Sequence, residues 1–164
     1  MQIFTGFANK HYKKSIDFLI YHRLHNNKNN EIIEYFIRHT LDKNFKIVVV
    51  GDPLNWKHIH NMGYVSRNKV KSLLAKTKYT FGSSENLYTL FVLDAISKDV
   101  VIFYDKKLTV FNAHIKYHNL RAVDFNNNQK FLKFVINSAN HLKKRSTENS
   151  YKKISYAGYF NENA

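Results

Sequence analysis

Cysteine is absent from this sequence, and its absence excludes two classes of site. Without thiols the chain forms no disulfide and no thiolate metal site, which suits a protein of the cytoplasm. An apolar run of about eighteen residues, which a membrane-spanning helix requires, is also missing. The first residues, Met1–Phe18, lack the basic-then-apolar order of a signal peptide. We therefore expect a cytoplasmic protein without a transmembrane segment.

The common glycine-rich phosphate loops are absent as well. The sequence contains neither GxxxxGK[ST] nor GxGxxG. The stretch Gly82–Ser84 reads GSS and does not match the GxSxG turn that exposes a catalytic serine. These absences exclude the best-known signatures of nucleotide-triphosphatases, dinucleotide-binding enzymes and serine hydrolases.

Histidine pairs offer weak metal-binding spacing. His58 and His60 alternate on a predicted strand, and His114 and His118 are four residues apart. With 9 histidines in the chain, chance accounts for such spacings. We therefore predict no metal site.

Acidic residues are scarce beside basic ones. The chain has 12 Asp and Glu against 26 Lys and Arg, which gives a formal net charge of +14. Such an excess suggests an anionic partner: nucleic acid, acidic lipid headgroups or phosphorylated small molecules. The alternative is compositional drift in an AT-rich genome, because only five of the basic residues are Arg. Specific readout of nucleic acid favours Arg, so nucleic acid is the less favoured partner.

Apolar residues make up 44% of 164 residues, enough for the core of one domain. Strands are predicted at Met1–Phe7, Lys46–Pro53, Ile59–Gly63, Lys78–Gly82, Val100–Tyr104 and Leu120–Phe125. Helices are predicted at Lys13–Leu24, Glu31–Leu41, Arg67–Lys76 after an N-cap at Ser66, a segment ending near Ser97, and Gln129–Lys144. This alternation predicts an α/β fold, a doubly wound parallel sheet of the Rossmann-like type.

Ligands of such sheets bind outside the carboxyl ends of the strands. Gly51, Gly82 and Tyr104 are expected at or near those ends. We therefore expect the functional site at this edge of the sheet.

Two acids bracket the apolar stretch FGSSENLYTLFVLDAIS, Phe81–Ser97. If one helix held both, the nine steps from Glu85 to Asp94 would put them on opposite faces. Thr89 can cap a helix that starts later, which leaves Glu85 in a strand-to-helix loop. The alternatives are an ordinary loop carboxylate at Glu85 and a buried acid, hydrogen-bonded to backbone, at Asp94.

The segment SSENLYTLFVLDAIS resembles the signature of retaining GT-B glycosyltransferases of the glycosyltransferase 4-like, or group 1, family. Three further segments are similar in order to that family's C-terminal, donor-binding domain: TGFANKHYKKSIDFLI, KIVVVGDP and NMGYVSRNKVKSLLAKTKYTFGSS. The resemblance runs from about Gln2 to Asn140. Two departures stand out. Eight residues separate the acids where the family has seven, and Phe7 follows Gly6 where the family often has Arg.

The resemblance implies a site for a nucleotide-diphosphate sugar. It implies catalytic roles for Glu85, at the donor sugar, and for Lys14, which follows the family's first strand and neutralises the diphosphate. It implies donor contacts from Lys13, Lys14, Tyr64, Val65, Ser84, Glu85, Asn86, Leu87 and Asp94. In that set Asp94 bonds the ribose, the turn near Tyr64 and Val65 holds the base through backbone contacts, and backbone amides near Asn86 and Leu87 face the phosphates.

The function that this resemblance implies is transfer of a hexose in surface polysaccharide or glycolipid synthesis, without cofactor or metal. We expect residues 1–145 to form the nucleotide-sugar-binding domain and residues 146–164 to form a basic tail that is either disordered or crosses to a partner domain. The acceptor-binding half of such an enzyme is missing from this chain, so the domain alone is expected to be inactive.

Other interpretations stay open. One is a non-catalytic basic α/β module that binds nucleic acid. Another is a degenerate transferase domain that supports a different chain. Basic residues near the C-terminus suggest peripheral contact with the inner face of a membrane: Lys143, Lys144, Arg145, Lys152 and Lys153.

Overall fold

The computed structural model describes residues 13–25, 30–83, 87, 89–108 and 118–140. The strands in these residues are β1 (Ile16–His22), β2 (Ile47–Gly51), β3 (Ile59–Asn61), β4 (Thr77–Phe81), β5 (Val101–Asp105) and β6 (Leu120–Val123). The helices are α1 (Asn30–Arg38), α2 (Arg67–Ala75), α3 (Leu90–Ser97) and α4 (residues 128–140). The predicted strand at Met1–Phe7 and the basic tail lie outside the described residues.

The first described strand corrects a prediction. Lys13–Leu24 was expected to be helical, because Ile16, Leu19, Ile20 and Leu24 follow a helical spacing. That interpretation is wrong: Ile16–His22 is a strand, and six of its seven residues are buried. A continuous apolar run in the centre of a parallel sheet is buried on both faces, so it shows no strand alternation that could reveal it.

Helix boundaries follow local signals closely. Ser66 caps α2 by accepting a hydrogen bond from the Lys69 amide through its side chain. Thr89 does the same for α3, where its Oγ1 accepts from the Val92 amide (3.2 Å). Both caps satisfy amides that the first turn of a helix leaves free. The predicted caps at Ser66 and Thr89 are therefore confirmed.

The sheet is entirely parallel, in the order β3-β2-β1-β4-β5-β6. This order is the one found in doubly wound dinucleotide-binding folds. The chain runs outward from β1 to β3 on one side, then returns to place β4 on the other side of β1. The gap between the carboxyl ends of β1 and β4 is therefore the topological switch point. The predicted α/β, Rossmann-like fold is confirmed.

Two apolar layers cover the sheet. Helices α1 and α4 pack on one face, with Phe36 and Phe131 against Phe18 and Phe81 of the strands. Helices α2 and α3 pack on the opposite face around a smaller cluster that includes Leu19. Because both faces are covered, polar chemistry is confined to the two edges where strands begin and end.

Gly51 closes β2 where no other residue fits. Its φ is +100°, and a Cβ built on it lies 2.2 Å from the backbone oxygen of His22 in the neighbouring strand. Glycine alone adopts this conformation without a clash. The ends of β1 and β2 therefore approach closely, and this approach brings the loops that follow them together.

Candidate functional site

A cavity of about 290 Å³ opens at the switch point of the sheet. The end of β1, the end of β4 and the first residues of α1 and α3 line it: Ile20, Tyr21, His22, Arg23, Asn30, Ile33, Phe81, Gly82, Ser83, Thr89, Leu90 and Phe91. Its size approaches that of a small-molecule site, and most of its wall is apolar with a few polar groups. A cavity therefore lies at the carboxyl edge, where the functional site is expected.

Two helices point their N-termini at this cavity. Asn30 begins α1 and Leu90 begins α3, and both residues lie in the cavity wall. Free amides and the helix dipole give each N-terminus a partial positive charge. This geometry favours an anionic group such as a phosphate.

Arg23 supplies a full positive charge at the same place. It directly follows β1, and its guanidinium carbon lies 5.7 Å from the ring centre of Tyr21 and 5.1 Å from that of Tyr64. Its Nε donates to the Tyr21 hydroxyl (3.0 Å), and Tyr21 stacks on Phe91 of α3. Hydrogen bonds to Tyr64 and Tyr21 raise the pKa of Arg23 above its ordinary value. The guanidinium is therefore a permanent cation at the mouth of the cavity.

Arg23 was not predicted because β1 was assigned as a helix. The basic residue that directly follows β1, the first described strand, is Arg23. The signal in the sequence is an arginine two positions after the apolar run Phe18–Tyr21.

Asp52 joins the loops beside Arg23. Its Oδ2 accepts a hydrogen bond from the Leu24 amide (2.7 Å), and its Oδ1 accepts one from the Tyr64 hydroxyl. These two hydrogen bonds, led by that of Tyr64, lower the pKa of the Asp52 carboxyl. His22 is buried beside it and donates from Nδ1 to the Asp52 carbonyl (2.8 Å).

The structure places Lys13 and Lys14 at the opposite edge of the sheet. They precede β1, so they lie at its amino end, while the cavity lies at its carboxyl end. Lys14 Nζ donates to the carbonyl of Lys98 just after α3 (2.7 Å), and burial lowers its pKa. The structure thus places Lys14 away from the cavity, and the basic residue that follows the first described strand is Arg23.

Asp94 is held by α2, away from the cavity lining. Its two carboxylate oxygens accept from Arg67 Nε (2.9 Å) and Nη2 (3.0 Å), and Lys71 Nζ lies 3.7 Å away. Arg67, the largest influence, lowers the pKa of this carboxyl. The alternative of a buried acid held by backbone is not what the structure shows: the partner is the side chain of Arg67 on another helix, twenty-seven positions away, which local sequence does not reveal.

Three further predicted residues lie in described regions. Tyr64 is exposed and reaches Asp52, as described above, while Val65 packs against the apolar layer under α2. Leu87 is buried against Tyr104 and Leu108. Helix α3 begins at Leu90, after the predicted cap at Thr89, so Leu87 precedes the helix and is not one of its first amides. Ser84, Glu85 and Asn86 lie outside the described residues.

Within the described part of the chain, no three His, Cys, Asp or Glu side chains group together as metal ligands would. The same residues contain no helix with the length and hydropathy needed to cross a bilayer.

Comparison with known proteins finds likeness in structure alone. No model of a known protein family matches the sequence, and no curated protein matches it. Among solved structures, the pneumococcal O-GlcNAc transferase GtfA, in complex with UDP and GlcNAc, is similar over 88% of this chain, with 10% identity and a TM-score of 0.58. A point mutant of T4 phage BGT, in complex with UDP-glucose, is similar over 80%, with 17% identity and a TM-score of 0.56.

This chain spans only 32% of the first of these proteins and 40% of the second. At such low identity the likeness concerns the fold. The parallel, Rossmann-like α/β fold is therefore shared with part of each of these two proteins.

Proposed function

We propose that this chain is the donor-binding domain of a glycosyltransferase and that the cavity holds a nucleotide-diphosphate sugar. The observation that carries the proposal is the meeting of Arg23 and the N-termini of α1 and α3 at the switch point. Support also comes from the two similar structures, which are complexes with UDP or UDP-glucose.

The diphosphate is assigned to the positive end of the cavity. Dinucleotide folds let backbone approach the diphosphate through glycines in the loop after the first strand. Here residues 23–29 contain no glycine, so a side chain must provide the charge. Arg23 suits this role, because a guanidinium binds phosphate oxygens in a bidentate manner and stays charged. It would also stabilise the diphosphate as it leaves with its negative charge.

The donor sugar is assigned to the loop that connects β4 to α3. Ser83 and Thr89 flank that loop and line the cavity, so the loop begins and ends beside the proposed diphosphate. Glu85, which the resemblance pairs with the sugar, is one of the residues between them, together with Ser84 and Asn86. The backbone at Tyr64 and Val65 keeps its proposed place near the base, and Asp94 keeps its proposed ribose contact only if it exchanges its bond to Arg67.

The finer assignments rest on the resemblance. They are a retaining transfer of a hexose, no requirement for a metal, and an acceptor bound by a separate domain. The product would belong to a surface polysaccharide or glycolipid, made in the cytoplasm near the membrane.

Calorimetric titration of the purified chain tests the proposal. UDP, GDP and ADP are titrated first and the matching nucleotide sugars second, without added metal. We expect one nucleotide to bind and Arg23→Ala to weaken it roughly tenfold to hundredfold, the worth of a hydrogen bond to a charged group. Lys14→Ala is the matched control, because it removes a cation from the opposite edge and should leave affinity unchanged.

The nucleic-acid alternative predicts a different result. If no nucleotide binds, and RNA instead binds with an affinity that falls steeply with salt, the basic nucleic-acid module replaces the transferase. The exposed lysines before β1 to β5 would then be the favoured surface: Lys13, Lys46, Lys57, Lys76 and Lys98.

A further inference from the structure

We propose that Asp52 is a positioning residue for the donor: its carboxylate holds Arg23 and the loop after β1 in the geometry that binds the diphosphate. This inference rests on the proposed function and assigns a role to a residue that neither the resemblance nor the cavity lining singled out.

Three loops of the carboxyl edge meet at this one side chain. Asp52 follows β2, and its oxygens accept from the Leu24 amide in the loop after β1 (2.7 Å) and from the Tyr64 hydroxyl in the loop after β3. Its own amide donates to the carbonyl of His22 at the end of β1 (3.0 Å). Asp52 therefore ties the chain on both sides of Arg23 to β2.

Asp52 acts on the guanidinium of Arg23 through the side chain of Tyr64. The ring of Tyr64 lies against the guanidinium of Arg23, and the hydroxyl of that ring is held by Asp52. Tyr64 is otherwise exposed, at 67% of its surface, so little else in the described chain fixes its orientation. Removing the carboxylate would free the ring and the arginine together. A ligand would then have to order both, and that ordering subtracts from binding.

The carboxylate of Asp52 interacts with these protein groups and not directly with a ligand. Both oxygens already accept hydrogen bonds from groups of the protein. An anion in direct contact with a diphosphate would repel it, so a direct role is the less favourable one. An indirect role uses the same charge to orient Arg23 before the ligand arrives.

Asp124 provides a matched control at the same edge. It follows β6 as Asp52 follows β2, and one of its oxygens accepts a backbone hydrogen bond, from the Asn126 amide (3.1 Å). Its other oxygen pairs with Lys106 (2.7 Å). Asp124 is absent from the cavity lining and four strands away from β2, so Asp124→Asn should not alter ligand affinity.

A double-mutant cycle on ligand affinity tests the inference. Calorimetry with UDP and with uridine compares the wild-type chain, Asp52→Asn, Arg23→Ala and the double variant. We expect Asp52→Asn to weaken UDP about tenfold and to leave uridine unchanged. In the Arg23→Ala background the same substitution should have no further effect, because the group through which it acts is gone.

The outcomes separate this inference from the proposed function. If the wild-type chain does not bind UDP or another nucleoside diphosphate, both fall. If it binds, but Asp52→Asn changes nothing or weakens UDP equally with and without Arg23, only the positioning role is overturned. Circular dichroism verifies that each variant is folded. If Asp52→Asn does not fold, Tyr64→Phe, which keeps the ring and loses the bond to Asp52, should weaken UDP about threefold and spare uridine, and no effect would overturn the inference.

Discussion

The two edges of this sheet use charged side chains in different ways. At the amino edge, Asp17 pairs with Lys78 and accepts the Lys46 amide, and Lys14 bonds the carbonyl that ends α3. At the carboxyl edge, Arg23 stands beside a cavity and is held by aromatic side chains. Similar charges therefore stabilise the fold at the amino edge and are available to a ligand at the carboxyl edge.

The largest loss of stability is expected at Gly51, where the ends of β1 and β2 approach closely. Gly51→Ala forces a Cβ against the His22 carbonyl at 2.2 Å, so the ends of β1 and β2 must separate. We expect the free energy of unfolding, measured by urea denaturation, to fall by about 3 to 4 kcal/mol.

Gly63→Ala is the control for backbone strain alone. Its φ is also positive, +65°, but a Cβ there meets nothing within 4 Å. We expect a loss of about 1 kcal/mol. Equal losses at the two glycines would show that the close approach of β1 and β2 is unimportant.

The next largest loss of stability is expected at the amino edge. Asp17→Ala removes the partner of Lys78 (2.8 Å) and the acceptor of the Lys46 amide (2.9 Å) from a largely buried position. We expect about 2 to 3 kcal/mol of lost stability in urea titrations, since a buried hydrogen-bonded pair is broken. Nucleotide affinity, measured by calorimetry below the unfolding transition, should not change. A clear loss of affinity would show that charged residues of the amino edge also contribute to nucleotide binding.

The smallest effect depends on pH. Burial first, and then the charge of Asp17, raises the pKa of Tyr79 to about 12. An unfolded tyrosine has a pKa of about 10, so the native state keeps its proton where the unfolded chain loses it. This contribution to stability is complete below about pH 10 and is lost as pH rises toward about 12.

Over that alkaline window the stability of Tyr79→Phe should therefore fall less steeply than that of the wild-type chain. In urea titrations at pH 10 and above, we expect the two losses of stability to differ by roughly 1 to 2 kcal/mol. Tyr104, near the carboxyl end of β5, is less deeply buried, and burial also raises its pKa. Tyr104→Phe should give a smaller change. An unchanged alkaline slope in Tyr79→Phe would contradict the assignment.

Much of the fold was predictable because its signals are local. The β-branched run before Gly51 predicted β2, and the caps Ser66 and Thr89 predicted where α2 and α3 begin. The run at β1 could not be distinguished from a helix, because a central strand and a buried helix are both apolar throughout.

The place of the cavity was predictable, but most of its lining was not. Parallel strands predicted the carboxyl edge, where the cavity lies and where Gly82 lines it. Arg23, which lines the cavity after β1, was not predicted, because β1 was assigned as a helix. The partner of Asp94 lies on another helix, and such contacts are created by folding. The role predicted for Glu85 stays a prediction.

The position of β1 in the middle of the sheet has a consequence for synthesis on the ribosome. Its hydrogen-bonded neighbour β4 lies about sixty residues further along, as the bond from Thr80 to Leu19 across 61 positions shows. At about 5 to 20 residues per second, the nascent chain presents β1 for roughly 3 to 12 s with the side that later pairs with β4 still open, although β2 emerges sooner to pair with its other side. An exposed apolar strand is a site of aggregation, which a charged residue opposes. Asp17 is the one charged residue of that strand, so we expect the carboxylate that later binds Lys78 to oppose aggregation of the emerging chain.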